Sequence, residues 1–168
     1  MNTLSEVHHR SDGQVADTTS GERGRSILVL CDGNICRSPM AAAMLVRRFP
    51  SDRIDSAGLV ALVGHRADPI AVALMRSRGI DIVDHIAKQV SWSMVKMADA
   101  IFTMTDAQKK RVEALYPFAR GRVFRIGHLS GIDVADPYQR GEAAFEWALK
   151  DIESAVASWL PVLNNETK

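Results

Sequence analysis

Two cysteines, the only ones in the 168 residues, lie five positions apart in the segment CDGNICRSP. Cys31 follows the apolar run ILVL, and Cys36 directly precedes Arg37. The apolar run is typical of a buried strand, and Ser38 followed by Pro39 is typical of a helix start. A loop between a strand and a helix N-terminus presents unpaired backbone N–H groups and the positive end of the helix dipole. The segment therefore predicts an anion-binding loop.

The side chains of this loop suit phosphoryl transfer. Gly33 and Asn34 tolerate left-handed backbone conformations, which can turn successive N–H groups inward. The planar guanidinium of Arg37 can bind two phosphate oxygens. A thiol at Cys31 in this positive field is expected to ionise and attack a bound phosphorus, with the Ser38 hydroxyl donating to the sulfur. Walker-type nucleotide binding is excluded for this loop, because it has no Gly-Lys-Ser/Thr.

The rest of the sequence predicts the elements that position this loop. From Ser26 onward, short apolar runs alternate with helical periodicity. This alternation favours an α/β fold of three layers: a four-stranded, parallel central sheet, helices on both of its faces, and the phosphate-binding loop after the first strand. We expect strands at 27–30, 54–56, 100–104 and 122–126, and helices that begin near Pro39, Pro69, Ser91, Asp106 and Gly141.

Composition narrows the class of protein. With 21 basic and 20 acidic residues, the charge balance indicates neither a nucleic-acid partner nor an anionic membrane. No run approaches the ~20 apolar residues that a membrane span needs, so we expect no membrane insertion. Residues 1–25 carry few large apolar side chains and predict a disordered tail, whereas 26–168 predict one domain.

The two cysteines also set expectations about metals, cofactors and the cellular compartment. A structural zinc site is disfavoured, because no second Cys or Cys/His pair occurs at suitable spacing. Two nearby thiols are more often reactive than disulfide-bonded in a reducing compartment. We therefore expect a cytoplasmic protein that needs no metal or other cofactor, present as a monomer or weak dimer.

The segment at 31–39 resembles the signature of low-molecular-weight protein tyrosine phosphatases, and the resemblance extends over about 26–163. Three further segments are similar to those of the family: DSAGL at 55–59, DHIAKQ at 84–89 and VADPYQR at 134–140. The first two are similar to segments that support the loop. The third is similar to the segment that supplies a general acid.

This resemblance implies a reaction in two steps. Cys31 attacks the phosphorus of phosphotyrosine to form a phosphocysteine, while Arg37 and the loop amides stabilise the charge on the phosphoryl oxygens. Asp136 protonates the leaving phenolate and then acts as the base for water. Ser56 and His85 would support the loop. The residues expected to contact the phosphate or the substrate ring are Asp32, Gly33, Asn34, Ile35, Cys36, Ser38, Leu62 and Tyr138.

Four positions refine the resemblance. Ile35 is similar to tyrosine-selective members, whereas relatives that act on phosphoarginine tend to carry threonine there. An apolar wall at Leu62 resembles bacterial phosphatases of exopolysaccharide or capsule synthesis, which implies the tyrosine-rich tail of a tyrosine autokinase as substrate. Cys36 either packs under the loop or forms a protective disulfide with Cys31. Asp32 departs from the usual apolar or small residue at its position. Its carboxylate either disfavours ionisation of the Cys31 thiol, repels acidic substrates or points to solvent.

Two alternative functions compete with this interpretation. An arsenate reductase would use the same loop, but no cysteine follows Cys36, so it would need an external thiol. A non-catalytic phosphate-binding or redox-sensing module would use the loop without turnover. Asp136 argues against such a module, since a binder has no use for a proton donor.

Overall fold

The computed structural model of the protein describes residues 24–165. The tail predicted at 1–25 lies almost entirely outside these residues and stays a prediction. Arg25, at the end of that range, donates from its backbone N–H and its guanidinium to the Asp52 carboxylate, at 2.9 and 2.7 Å. This ion pair directly precedes the first strand.

Four parallel strands form the central sheet, in the order β2-β1-β3-β4. The strands are β1 Ser26–Cys31, β2 Arg53–Gly58, β3 Ala100–Thr103 and β4 Val123–Arg125. The chain order reverses beside β1, and parallel sheets bind ligands beyond the carboxyl ends of their strands at such a reversal. Cys31, the last residue of β1, lies at this point.

Helices cover both faces of the sheet. They are α1 Arg37–Arg48, α2 Pro69–Ser77, α3 Trp92–Met97, α4 Asp106–Leu115 and α5 Glu142–Asn165. Residues of β1 alternate between two separate cores: Ile27 and Val29 pack with α1, α2 and α5, whereas Leu28 and Leu30 pack with α3 and α4. The predicted three-layer α/β fold is therefore confirmed.

Two residues of the types that favour helix caps lie inside helices instead of at the cap. Ser38 lies inside α1, and the N-cap position is taken by Cys36. The cap of α4 is Thr105, whose hydroxyl accepts from the N–H of Gln108, and Asp106 is the first helical residue. In both cases the residue type suits a cap, but a neighbouring residue occupies the cap position.

The long C-terminal helix closes one face of the sheet. One apolar stripe of this helix is buried, at Phe145, Leu149, Ile152, Val156, Trp159 and Leu163. Trp159 anchors α5 to the end of β4, because its indole N–H donates to the carbonyl oxygen of Ile126 at 2.6 Å. Within the described residues, no helix combines the length and apolar character needed to cross a membrane.

Candidate active site

The loop between β1 and α1 is organised around Asn34, which is fully buried and has a φ of 57°. Its side-chain amide nitrogen donates to the hydroxyls of Ser38 and Ser56, at 2.9 and 3.0 Å. Its side-chain oxygen accepts from the backbone N–H of Lys88 at 2.9 Å, and the ring Nε2 of His85 donates to its backbone oxygen at 2.7 Å. These hydrogen bonds hold a left-handed conformation that would otherwise be unfavourable.

Gly33, the other residue that tolerates a left-handed backbone, does not adopt that conformation, since its φ is not positive. A glycine tolerates the left-handed region without being required to use it. Its carbonyl oxygen instead accepts from the backbone N–H of Leu62 at 3.0 Å.

The segment that follows β2 lies against the loop. The backbone N–H groups of Leu59 and Val60 donate to the carbonyl oxygens of Cys31 and Asp32, at 2.9 and 3.1 Å. Gly58 permits this close approach, because a Cβ at that position would clash with the backbone of the loop. This segment, with Leu62 further along it, therefore forms one side of the site.

The sulfur of Cys31 receives two polar contacts. The Ser38 hydroxyl lies 3.0 Å from it, and the backbone N–H of Asn34 donates to it at 3.2 Å. Because Asn34 already donates to the Ser38 oxygen, the hydroxyl proton of Ser38 is available to the sulfur. Both contacts therefore place a hydrogen-bond donor against the sulfur of the predicted nucleophile.

The second cysteine is in a different environment. Burial raises the pKa of the Cys36 thiol, and the Asp68 carboxylate, Cys31 and Asp136 raise it further, against a smaller opposing effect of Arg37. Cys36 therefore stays a neutral thiol at neutral pH. The two cysteines therefore have different surroundings.

Arg37 is 2% exposed and makes three directional contacts. One terminal nitrogen donates to the carbonyl oxygen of Val134 at 3.0 Å. The other lies 2.9 Å from a carboxylate oxygen of Asp136 and 3.4 Å from one of Asp32. Its Nε, in contrast, is a buried nitrogen without a hydrogen-bond partner among the described residues. Such a donor suits a substrate oxygen.

Asp136, in the segment after β4, has its carboxylate beside Arg37. Its side chain is 51% exposed, and one carboxylate oxygen accepts from the backbone N–H of Tyr138 at 3.2 Å. Val134, just before it, donates its backbone N–H to the carbonyl oxygen of Met104 at 2.9 Å. The DPY segment is therefore anchored at the end of β3, with its carboxylate facing Arg37.

A cavity of about 190 Å³ lies between these elements. Its walls contain most of the residues predicted to contact a substrate: Cys31, Asp32, Gly33, Ile35, Cys36, Arg37, Leu62, Asp136 and Tyr138. Val60 also lines it and was missed, although it lies two residues before Leu62. Asn34 and Ser38 lie elsewhere, because their buried side chains contact Cys31 and the supporting network rather than the cavity.

Asp32 does not simply point to solvent. Gln108 Nε2 donates to its carboxylate at 2.6 Å, and an Arg111 nitrogen lies 3.9 Å from it. The sequence analysis missed both partners, because they lie on α4, far along the chain, and no local spacing connects them to the loop.

Larger concavities of about 350 and 450 Å³ occur elsewhere on the described surface. The first lies behind the loop, beside Ser56 and His85. The second lies between α1 and α5 and is lined by Arg47 and Arg48. Neither of them is lined by a cysteine, so the smaller cavity above Cys31 is the candidate active site.

A nucleophilic cysteine at the end of a parallel strand, a buried arginine beside it and a carboxylic acid facing both define a cysteine-dependent phosphatase. The sequence model of the family "Low molecular weight phosphotyrosine protein phosphatase" matches residues 26–168. The chain belongs to this family and is a protein-tyrosine phosphatase.

Three individual proteins illustrate the similarity: two carry names of tyrosine phosphatases of this family, and the third is an arginine phosphatase with the same fold. A probable low molecular weight protein-tyrosine-phosphatase, EpsP of Ralstonia nicotianae, is 47% identical over 137 residues, which cover 82% of this chain and 94% of that protein. Wzb of Vibrio vulnificus, solved in complex with benzylphosphonate, superposes with a TM-score of 0.78 at 31% identity, covering 81% of this chain and 97% of that one. The arginine phosphatase YwlE of Geobacillus stearothermophilus gives a TM-score of 0.79 at 29% identity, covering 84% and 94%.

Burial of His85 makes the stability of the protein sensitive to pH. It lowers the pKa of His85 from 6.5, the hydrogen bond to Asn34 opposes this shift, and the charge of Lys88 adds to it. Between the pKa of His85 in the folded state and its higher pKa in the unfolded state, the unfolded chain binds more protons at this site, so stability falls as the pH falls. We expect the free energy of unfolding to fall less between about pH 7 and about pH 5 in His85→Gln, which keeps a donor for the Asn34 carbonyl, than in the native chain.

Urea unfolding of both chains at the two pH values measures this difference. His128→Gln is the matched control, because it removes an exposed histidine that makes no side-chain contact with the loop. An equal loss of stability in His85→Gln and the native chain would contradict the role given to His85.

Proposed function

We propose that Cys31, Arg37 and Asp136 carry out the hydrolysis of phosphotyrosine in this phosphatase. The observation that carries the proposal is the position of the Cys31 sulfur, which receives hydrogen bonds from Ser38 and Asn34 in the same cavity as the buried guanidinium. A sulfur nucleophile held by two donors beside a fixed cation is the arrangement that attack on a phosphate group requires.

In the first step, the Cys31 thiolate attacks phosphorus in line with the phenolate leaving group. A sulfur–phosphorus bond forms as the phosphorus–oxygen bond to the ring breaks, and Asp136 gives its proton to the departing oxygen. Arg37 Nε and the loop amides stabilise the charge on the three phosphoryl oxygens. The products of this step are the free tyrosine side chain and a phosphocysteine.

In the second step, water replaces the sulfur at phosphorus. Asp136, now ionised, accepts a proton from the attacking water, and inorganic phosphate leaves. The Ser38 hydroxyl stabilises the sulfur as it departs, since it lies 3.0 Å from that atom. The thiolate is thereby restored for another turnover.

The position of Asp136 suits a general acid. One of its carboxylate oxygens lies 2.9 Å from an Arg37 nitrogen. A phosphate ester that binds Arg37 therefore brings its leaving oxygen within reach of the Asp136 carboxyl, which is the geometry that proton transfer needs.

The walls of the cavity favour an aromatic phosphate ester. Leu62 is half-buried on one side, and Val60 and Tyr138 are 57% and 42% exposed beside it. Ile35 is buried at the bottom, where the resemblance indicates selectivity for tyrosine over arginine. Benzylphosphonate, the molecule bound to Wzb of Vibrio vulnificus, likewise joins an aromatic ring to a phosphorus oxyanion.

The proposed physiological substrate is the tyrosine-rich tail of a bacterial tyrosine autokinase in exopolysaccharide synthesis. The resemblance to phosphatases of that type supports this step, as does the exposed apolar surface beside the cavity. Val63, next to Leu62, is 64% exposed and could contact unmodified tyrosines that flank the phosphorylated one. The two thiols support a reducing, cytoplasmic location.

Variants of the catalytic residues test the mechanism. Cys31→Ser is expected to lower kcat by about 10⁴-fold or more, because an alcohol is a far weaker nucleophile here than a thiolate. Cys36→Ser is the matched control and should stay within about tenfold of the native chain, because its neutral thiol takes no part in the chemistry. The measurement is turnover of aryl phosphates without added metal.

Asp136→Asn should lower kcat by about 10² to 10³-fold on phenyl phosphate and much less on p-nitrophenyl phosphate, whose phenolate needs less protonation. Turnover by Cys31→Ser at the native rate, or reduction of arsenate with external thiol in place of phosphatase activity, would contradict the proposed function.

Paired phosphopeptides test the proposed substrate. One peptide carries a single phosphotyrosine among several unmodified tyrosines, and the other has those tyrosines replaced by alanine. We expect about a three- to tenfold higher kcat/KM for the first, because the flanking rings can pack on the exposed apolar surface. A phosphoarginine peptide is the control for tyrosine selectivity. Equal kcat/KM values for the paired peptides would contradict a tyrosine-rich substrate.

A further inference from the structure

One terminal nitrogen of Arg37 contacts two carboxylates at once. Asp136 lies 2.9 Å from it and Asp32 lies 3.4 Å from it. The mechanism assigns a function to Asp136 but none to Asp32. The Arg37 side chain is 3% exposed, whereas that of Asp32 is 39% exposed, so the carboxylate reaches inward from the cavity rim to a fixed cation.

Asp32 is held in this position by helix α4. Gln108 donates to the same carboxylate oxygen that faces Arg37, at 2.6 Å. Gln108 is itself 5% exposed, and its side-chain oxygen accepts from the backbone N–H of Met104 at 3.0 Å. The orientation of the Asp32 carboxylate is therefore set by a buried amide with both ends hydrogen-bonded, and not by a mobile surface contact.

Arg111 lies one turn further along α4 and partly offsets the charge of Asp32. Its guanidinium is 3.9 Å from the other carboxylate oxygen, and its side chain is 47% exposed. The carboxylate is thus shared between a cation at the base of the cavity and one at its rim. Any phosphate that binds Arg37 must displace Asp32 from it or lie close to its negative charge.

We propose that Asp32 is a positioning residue that competes with phosphate for Arg37, so that it weakens binding of the product phosphate and speeds its release. The proposal rests on the proposed function, because it concerns the same anion-binding loop. Asp32 also competes with the phosphate group of the substrate ester, but the ring of the ester contacts Leu62 and Tyr138 as well. Inorganic phosphate has no ring, so no other contact compensates for the weaker binding of the product to Arg37.

Removing the charge of Asp32 tests this role. Asp32→Asn keeps the shape of the side chain and an oxygen for Gln108. We expect it to bind inorganic phosphate about three- to tenfold more tightly and to lower KM for aryl phosphates, without a rise in kcat. A purely structural role has the opposite sign, because a misplaced Arg37 would bind phosphate more weakly.

Two variants on α4 give an independent test with a matched control. Arg111→Gln removes a positive charge that partly offsets the negative charge of Asp32, so it should weaken phosphate binding about two- to fivefold. Lys110→Gln removes the same charge from the neighbouring position, but Lys110 pairs with Asp106 at 2.8 Å and is 76% exposed. Its effect on phosphate affinity should stay below about twofold.

The measurement is calorimetric titration of the full chain and its variants with inorganic phosphate, at one pH and one ionic strength. Unchanged or weaker phosphate binding by a folded Asp32→Asn overturns the proposal. If that variant does not fold, equal affinities of Arg111→Gln and Lys110→Gln overturn it. Aryl phosphate turnover is recorded on the same samples: its absence in the native chain refutes the proposed function, while the titrations still decide the role of Asp32.

Discussion

The active site depends on one strained residue, Asn34, held in a left-handed conformation at the centre of the loop. Its backbone N–H can reach the Cys31 sulfur because its φ is 57°, and its carbonyl then turns away toward His85. Its side chain forms hydrogen bonds with Ser38, with Ser56 and with the backbone of the segment after α2 at the same time. Since a buried polar side chain must pair its donors and acceptors, this network fixes the loop and the nucleophile together.

The electrostatics of the site follow from the fixed position of Arg37. A nearly buried guanidinium, with one nitrogen held by the carbonyl of Val134, forces Asp32 and Asp136 to share the other. The two carboxylates differ in what else holds them, because Asp136 is 51% exposed on a loop, whereas Asp32 is tied to α4. A phosphate dianion that binds Arg37 therefore changes the electrostatic surroundings of Asp136. The same dianion comes close to the carboxylate of Asp32, whose position is fixed.

Local patterns in the sequence predicted much of this arrangement. The fold follows from apolar runs alternating with helical periodicity, and the loop, Arg37 and Asp136 lie in short segments whose residue types carry the chemistry. What the sequence could not show depends on long-range contacts. Gln108 lies 76 positions from Asp32, so the restraint on that carboxylate has no local signal. The residue types of the loop predicted the contact between the Ser38 hydroxyl and the Cys31 sulfur, at 3.0 Å, but Ser38 also suited a helix cap, and Cys36 takes that position.

The central claim is that Cys31 becomes covalently phosphorylated during turnover. The Cys36→Ser chain, in which Cys31 is the single thiol, can be mixed with an aryl phosphate, quenched rapidly and examined by mass spectrometry with fragmentation. The account predicts a transient phosphoryl group on Cys31, formed at least as fast as the enzyme turns over and lost as free phosphate appears. Full turnover with no phosphoryl group on Cys31, or with the group on another residue, would contradict it.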